Sequence, residues 1–266
     1  MDYVIEPTAG LAAVASIYRQ VGFRRDLVDD LAFVQRLGGV VFTAQRDGTV
    51  VGVSSCLPFG TTGWVGGVAV LPDHGRRGLG ERLTRTAADA IRDRGIATVL
   101  LHATPMAAPL YARMGFTHEL DLVELKGALL PDVPSATRPG TAADLDTVLR
   151  LDHEATGEDR GVLIRALWPH GGRLHDHGFS LRQSPTGAGA VIATTAEAGE
   201  ALLTAALSGR ESDKLRVALP ADQEHARKRL ADLGFRESTR TSRMRLGPPV
   251  PIRPDRVYSV FNLYWG

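Results

Sequence analysis

Gly75, Gly78 and Gly80 stand between a short apolar run, Val68-Ala69-Val70-Leu71, and a segment in which Leu79, Leu83, Ala87 and Ile91 recur every four residues. The run reads as a strand that Pro72 ends, because proline cannot donate to a ladder. The recurrence reads as a helix with one apolar face. Glycines at such a junction let the backbone turn tightly and leave no side chain between its N–H groups and a ligand. The first N–H groups of a helix have no internal partner, and the helix dipole puts partial positive charge there. The turn therefore suits a phosphate or pyrophosphate, and Arg76 and Arg77 add fixed positive charge. A glycine turn with no ligand is the alternative that spacing alone leaves open. Two known phosphate loops do not fit. Gly80 is followed by Glu81-Arg82 where the Walker loop needs Lys-Ser/Thr, and the glycine spacing is not G-x-G-x-x-G.

The stretch resembles the signature of the GNAT acyltransferase superfamily. That signature is a strand ending V-x-x, a proline, then R/Q-x-x-G-x-G/A opening a helix. Val68-Ala69-Val70, Pro72 and Gly75-Arg76-Arg77-Gly78-Leu79-Gly80 match it, with Gly75 in place of the usual Arg or Gln. A second match lies in Ala108-Pro109-Leu110-Tyr111-Ala112-Arg113-Met114-Gly115-Phe116, whose Leu110-Tyr111 and Gly115-Phe116 resemble the L-Y-x-x-x-G-F part of the family's A-x-x-L-Y-x-x-x-G-F. The resemblance implies acetyl transfer from acetyl-CoA to an amine. Gly75 to Gly80 would hold the pyrophosphate, and a backbone N–H at the splayed end of Val68, Ala69 and Val70 would polarise the thioester. Tyr111 suits the remaining step. A phenol of pKa about 10 is protonated at neutral pH and can give its proton to the departing thiolate. A packing tyrosine is the alternative for Tyr111. Thr104 departs from the asparagine often found earlier on this helix.

The general base is not readable. Glu119, Asp121 and His102 lie near the right strands and read as surface or pocket-lining groups. His74, in the loop, reads as solvent-exposed. His170, His175 and His177 include an H-x-H spacing that could place two imidazoles on one side of a strand, but Gly171-Gly172 indicate a loop, and no metal is expected. Cys56 is the sole cysteine, so neither an intrachain disulfide nor a cysteine zinc cage is available, and its apolar surroundings mark a buried, inert thiol.

The elements that must position these groups follow from pattern. The 266 residues are 44% hydrophobic and 23% charged, enough for a real core and comfortable for two domains. A net charge of +1 argues against general nucleic-acid binding. MDYVIEPTAG has no basic region followed by an apolar run, and no stretch approaches the roughly 20 apolar residues of a membrane span, so a soluble cytoplasmic protein is expected. Strands are expected at Tyr3–Ile5, Val40–Ala44, Val50–Leu57, Val65–Leu71, Thr98–Leu101 and from Phe116 through Leu120–Leu125. The Asp47-Gly48 pair signals a hairpin. Helices are expected over Gly10–Tyr18 and Leu27–Leu37, after the glycine loop, and from Pro105 with Thr104 as cap.

A faint repeat joins the halves. Gly199 of GEAL lies 119 positions after Gly80 of GERL, and Gly234 of RLADLGF lies 119 after Gly115 of LYARMGF. In that register Leu215–Leu219 repeats the buried strand and Ala221–Leu233 the helix. Thr194–Gly199 replaces the anion loop, with two glycines and both arginines lost and Glu197 gained, and Leu230 replaces Tyr111. The second half also resembles the C-terminal domain of a tandem subgroup of these acyltransferases, on Asp152, Gly157, Asp159, Arg160 and the stretch into Gly266.

The fold expected is thus α/β with two GNAT-like domains, each a mixed, mostly antiparallel sheet flanked by helices. Residues 1–127 would be catalytic, 128–140 a proline-bearing linker, and 141–266 a degenerate copy that shapes the acceptor site or a dimer interface. Val257–Trp265 reads as a terminal strand whose aromatic groups fill a core or wall an acceptor pocket. The implied function is an acyl-CoA-dependent N-acyltransferase acting on a primary amine of a small molecule by direct attack in a ternary complex. A non-catalytic acyl-CoA sensor and an inert scaffold are the rival readings. A homodimer stays open.

Overall fold

The computed structural model describes residues 3–23, 27–128, 135–182, 186–209 and 214–266. The first half runs β1 (Val4–Pro7), α1 (Ala12–Gln20), α2 (Leu27–Arg36), β2 (Val40–Arg46), β3 (Thr49–Pro58), β4 (Thr62–Val70), α3 (Leu79–Arg92), β5 (Thr98–Ala103), α4 (Ala108–Arg113) and β6 (Thr117–Gly127). The second runs β7 (Arg138–Pro139), α5 (Leu145–Thr156), α6 (Gly161–Leu167), β8 (Arg173–His175), β9 (Gly178–Leu181), β10 (Ala190–Ala193), α7 (Ala196–Leu207), β11 (Leu215–Pro220), α8 (Glu224–Asp232), β12 (Arg236–Leu246) and β13 (Val257–Ser259). Asp47 (φ 51°) and Gly48 (φ 75°) make the tight β2–β3 hairpin turn, which requires positive φ at both central positions.

The expected class holds: mixed sheets, mostly antiparallel, with helices packed on them. The strand order of the larger sheet is β1-β2-β3-β4-β5-β12-β6-β11, and that of the smaller is β13-β10-β9-β8-β7. Strand β12 comes from the second half yet lies between β5 and β6 of the first. The repeat explains this. Arg236 lies 119 positions after Thr117, and Leu246 lies 119 after Gly127, so β6 and β12 are equivalent strands. They pair antiparallel along their lengths, from Arg236↔Lys126 to Arg245↔Thr117. Each also lies against the other half's buried strand, β12 on β5 and β6 on β11.

Three local expectations change. Of the stretch 257–265, only Val257–Ser259 is strand. Asn262 Oδ1 accepts from the N–H groups of Tyr264 (2.7 Å) and Trp265 (2.9 Å), and this side-chain turn curls the backbone away from the sheet. Helix α4 begins at Ala108 with Pro109 in its first turn, while Thr104 closes the preceding turn through Ala107 N–H. Arg138–Pro139, inside the span expected as linker, pairs with Arg173–Leu174 as an edge strand, and 129–134 of that span lie outside the described residues.

One hydrophobic core crosses the halves. Tyr18, Trp64 and Leu100 pack in the same buried cluster as Leu151, Phe179 and Trp265. A polar seam runs beside it. Glu158 accepts from Thr62 Oγ1 (2.7 Å) and Trp64 Nε1 (2.8 Å), and its other oxygen lies 3.6 Å from Arg243 Nη2. Arg243 Nε lies 2.9 Å from Glu119. Asp152 takes both arms of Arg160, and Gly157 (φ 70°) ends α5 in the left-handed conformation that favours glycine. Glu158 is 1% exposed, so removing it leaves two donors and part of the Arg243 charge without a partner. Glu158→Ala is expected to lower stability by about 3–5 kcal/mol. Because the sheet is shared, urea titration followed by Trp fluorescence should still show one transition; two separated transitions would contradict the shared core.

Candidate active site

The loop between β4 and α3 begins with a 3-10 turn, Pro72–His74, after which Gly75 is extended. Arg76 (φ 58°) and Gly78 (φ 75°) both sit in the left-handed region. For Arg76 this costs on the order of 1 kcal/mol, which the surrounding structure must offset. The two reversals bring the chain into α3 with Gly78 as N-cap and no side chain capping the first turn. Leu79 anchors that turn in a buried cluster with Tyr3, Ala44, Val51 and Leu83, while Arg76, Arg77 and Gly78 are exposed and Gly80 half-buried. His74 is not the free solvent group expected. It is half-buried and bonded to Tyr3 Oη (3.1 Å), and Arg82 holds the Tyr3 carbonyl (2.9 Å), so both ends of the loop are tied to the start of β1.

Strand β4 pairs with β5 only at Thr62–Trp64 and then leaves it. On its other side the register with β3 slips between Ala69↔Val53 and Gly66↔Ser55. Gly67 (φ 63°) makes this bulge, and its carbonyl accepts from Tyr18 Oη at 2.8 Å. A Cβ at Gly67 would sit 2.4 Å from that oxygen, so both φ and space require glycine. Divergence of β4 from β5 opens a cleft of about 410 Å³. Val68, Ala69, Val70 and Tyr111 all line it, as do His102 and Glu124 of the first half and Thr239, Thr241 and Tyr264 of the second.

Tyr111 is 7% exposed, and burial pushes its phenol pKa up while a bond with Thr84 pulls the other way. Thr84 lies on α3 and itself donates to the Gly80 carbonyl (2.9 Å). A Cβ at Gly80 would lie 3.9 Å from Leu110 of α4. The first turn of α3 and the phenol are therefore linked through Thr84, which bonds both. Arg77 has partners within the protein besides its exposure.

Comparison with known proteins now decides the family. An acetyltransferase (GNAT) domain model matches residues 38–118, and a second model of the same description matches 148–259. The chain belongs to the GNAT superfamily, with two such domains in tandem. Solved structures agree in fold. A Pyrococcus horikoshii protein proposed as an acetyltransferase superposes with a TM-score of 0.83 at 21% identity, covering 99% of this chain and 96% of its own. A GCN5-related N-acetyltransferase from Sphaerobacter thermophilus gives 0.66 at 14%, covering 95% and 98%. A tandem GNAT protein from the clavulanic acid biosynthesis pathway gives 0.65 at 17%, covering 93% and 100%. Among curated proteins nothing matches.

The second GNAT domain lacks the open features of the first. Thr194 and Thr195 alone connect β10 to α7, and Thr195 caps the helix by accepting from Ala198 N–H (3.3 Å). Gly199 lies inside α7, where a Cβ would fall 2.2 Å from the Tyr258 ring; packing requires this glycine. The space between β10 and β11 is taken by the chain itself, with Ser259 paired to Val191 and Val260 N–H bonded to the Ala218 carbonyl (2.7 Å).

The acid–base candidates separate by position. Glu119 is turned to Arg243 and Arg245 (2.9 and 2.8 Å), and Asp121 is exposed and bonded to His118 and Ser242 (2.9 Å each); neither lines the cleft. His102 does. Its Nδ1 is buried with no hydrogen-bond partner among the described residues, and the ring lies 4.7 Å from Trp64. Burial, helped by the Arg243 charge, lowers its pKa to about 3, so the imidazole is neutral. His175 and His177 flank the β8–β9 turn, rings 6.0 Å apart, and no group of three metal-ligating side chains forms among the described residues. Thr239 and Thr241 were not foreseen; only their alternation in STRTS marks a strand face. Glu124 and Arg216 also escaped notice, since single charges on strands carry no motif.

A histidine held neutral when folded disfavours the folded state once the unfolded chain can take up its proton. The unfolded chain binds more protons between pH 6.5 and about 3, so the His102 contribution is intact above pH 6.5 and lost as pH falls through that window, at up to about 1.4 kcal/mol per unit. His102→Gln should flatten this limb. Urea midpoints of both proteins at pH 7, 6, 5 and 4.5 are expected to converge toward acid; parallel curves would contradict the neutral assignment.

Proposed function

We propose that the protein is a cytoplasmic N-acyltransferase that moves the acetyl group of acetyl-CoA to a primary amine of a small molecule. One juxtaposition carries this reading: the uncapped start of α3 abuts the helix bearing a buried, protonated phenol, and that phenol lines the cleft opened by β4. Family membership supports the acetyltransferase class. Among the described residues no helix is long and apolar enough to cross a membrane.

On this reading the N–H groups of Leu79, Gly80 and Glu81 face the diphosphate, with Gly75, Arg76, Arg77 and Gly78 shaping the turn. The N–H groups of Val68–Val70 that β5 does not take are available to the pantetheine arm and the thioester carbonyl. An amine attacks the acyl carbon directly. As the carbon–nitrogen bond forms and the carbon–sulfur bond breaks, Tyr111 gives its proton to sulfur, and the proton shed by the attacking nitrogen passes to solvent, from which the phenol is restored. Its raised pKa keeps the proton in place throughout the neutral range.

Two variants test the parts separately. Gly80→Asp places a carboxylate at the anion site, where the backbone is helical and the space is open. It should leave the fold as stable or about 0.5–1 kcal/mol more so, yet weaken acetyl-CoA binding by at least about tenfold in calorimetry. Unchanged affinity would remove the anion assignment. Tyr111→Phe should lower thiol release at least about tenfold with cofactor affinity nearly intact. Full turnover in that variant would remove the acid, and binding without any thiol release across an amine panel would favour a sensor.

A further inference from the structure

A second cavity, of about 220 Å³, adjoins the cleft and shares Phe23, Glu124, Leu263 and Tyr264 with it. Its floor is one face of the large sheet. Thr239 is opposite Glu124 on the neighbouring strand, and Glu124 is opposite Ala218. Arg216, two residues before Ala218, shares that face. This face thus carries Thr241 and Thr239 of β12 under the cleft, and Glu124 of β6 with Arg216 of β11 under the second cavity, which the stretch Phe261–Tyr264 covers.

Glu124 and Arg216 are paired at 3.0 Å, with side chains 11% and 30% exposed. One positive and one negative charge therefore stand together in a small, partly desolvated space, and the half-exposed Lys126 ammonium lies 4.0 Å from the same Glu124 oxygen at its edge. A ligand with only one charge would add an unbalanced charge beside this pair, which is costly there. A ligand carrying both an ammonium and a carboxylate keeps the balance. The guanidinium offers five donors in a planar fork suited to carboxylate, and the Glu124 bond uses one. Toward the cleft the polar groups change character. Thr241 is 8% exposed and its Oγ1 has no hydrogen-bond partner among the described residues, as is true of His102 Nδ1. Buried polar atoms of this kind are normally satisfied, and both line the space where an amine would approach the thioester.

We infer that the acceptor is an amine that also carries a carboxylate, held by the remaining donors of Arg216, which Glu124 orients, in a subsite built by both halves, with the reacting amine at Thr241. This rests on the N-acyltransferase reading above. Arg216 stands opposite Lys126 and Thr241 opposite Leu122, so the two backbones are two strands apart across the sheet and four residues apart along it, roughly 16 Å at about 4.8 Å per strand and about 3.3 Å per residue, and the Arg216 side chain spans part of that distance in reaching Glu124. The amine and carboxylate are therefore separated by several carbons, as in an ω-amino acid or a side-chain amine.

The test titrates the full chain, saturated with CoA, with ω-amino acids from glycine to the eight-carbon homologue. The matching n-alkylamines and ω-amino amides are run in parallel. The best ω-amino acid should bind at least about tenfold more tightly than its alkylamine or amide. Arg216→Gln should abolish that preference and leave CoA affinity unchanged. Equal binding of all three series, or a preference that survives Arg216→Gln, would overturn the inference. If that variant does not fold, the wild-type comparison with the amides decides alone. Thiol release from acetyl-CoA, measured in the same samples, reports on the parent reading independently. Release without carboxylate preference overturns only the subsite, and selective binding with no release overturns only the transferase.

Discussion

The pairing of β6 with β12 is the constraint from which the rest follows. Strands are equivalent by the repeat, and equivalent strands joined antiparallel relate the two halves by an approximate two-fold. Each then abuts the buried strand of the opposite half. A single GNAT domain cut from this chain would expose an unpaired edge where its neighbour now lies, and exposed edges are prone to wrong pairing. The halves are thus two domains in descent and one sheet in mechanics. The cleft inherits this. Its β4 wall, His102 and Tyr111 belong to the first half, but Thr239, Thr241 and Tyr264 come from the second.

The same framework yields an open cleft once and a filled one once, and the difference is local. In the first half a bulge at Gly67 sends β4 away from β5, and Tyr18 holds the bulge by its carbonyl. In the second, β13 occupies the corresponding gap, and a two-residue connection with a threonine cap replaces the glycine loop. The stretch that continues from β13 then crosses to the first half. A Cβ at Gly66 would strike the Tyr264 carbonyl at 2.3 Å, and Trp265 Nε1 bonds Ser55 Oγ at 3.2 Å. The second domain therefore gives up a cleft of its own and furnishes the roof of its partner's.

How much of this was legible depends on the range of the interactions. Strand–turn–helix punctuation at Pro72, Gly78 and Asp47-Gly48 is local, and the elements fall where those residues place them. The repeat was legible because Gly115 and Gly234 both follow a helix and precede a strand. The exchange of β12 was not, since pairing partners of similar pattern are interchangeable in sequence and only tertiary packing selects between them. For the same reason Gly199 looked like a remnant of an anion loop. Its register with Gly80 was sound, but the connection had shortened upstream, so the residue sits inside a helix against Tyr258. Tyr111 was found through its signature, whereas Thr241 and Glu124 enter the cleft only through cross-strand neighbours more than a hundred residues away.

The buried seam has a consequence for the chemistry. Glu158, Arg243 and Glu119 could be replaced by apolar groups in principle, and buried charges often stabilise less than well-packed hydrocarbon. Here Arg243 lies opposite His102 across β5 and β12 and stacks over Trp64 at 5.3 Å. Burial, together with the Arg243 charge, keeps the imidazole neutral, with Nδ1 unpartnered among the described residues. A neutral group there adds no positive charge to the cleft and keeps its lone pair available as an acceptor. An apolar residue in place of Arg243 would remove one of the two causes that hold His102 in that state. The charged network between the halves thus couples assembly of the shared sheet to the protonation state of the site, and a chain with mispaired halves would lose both together.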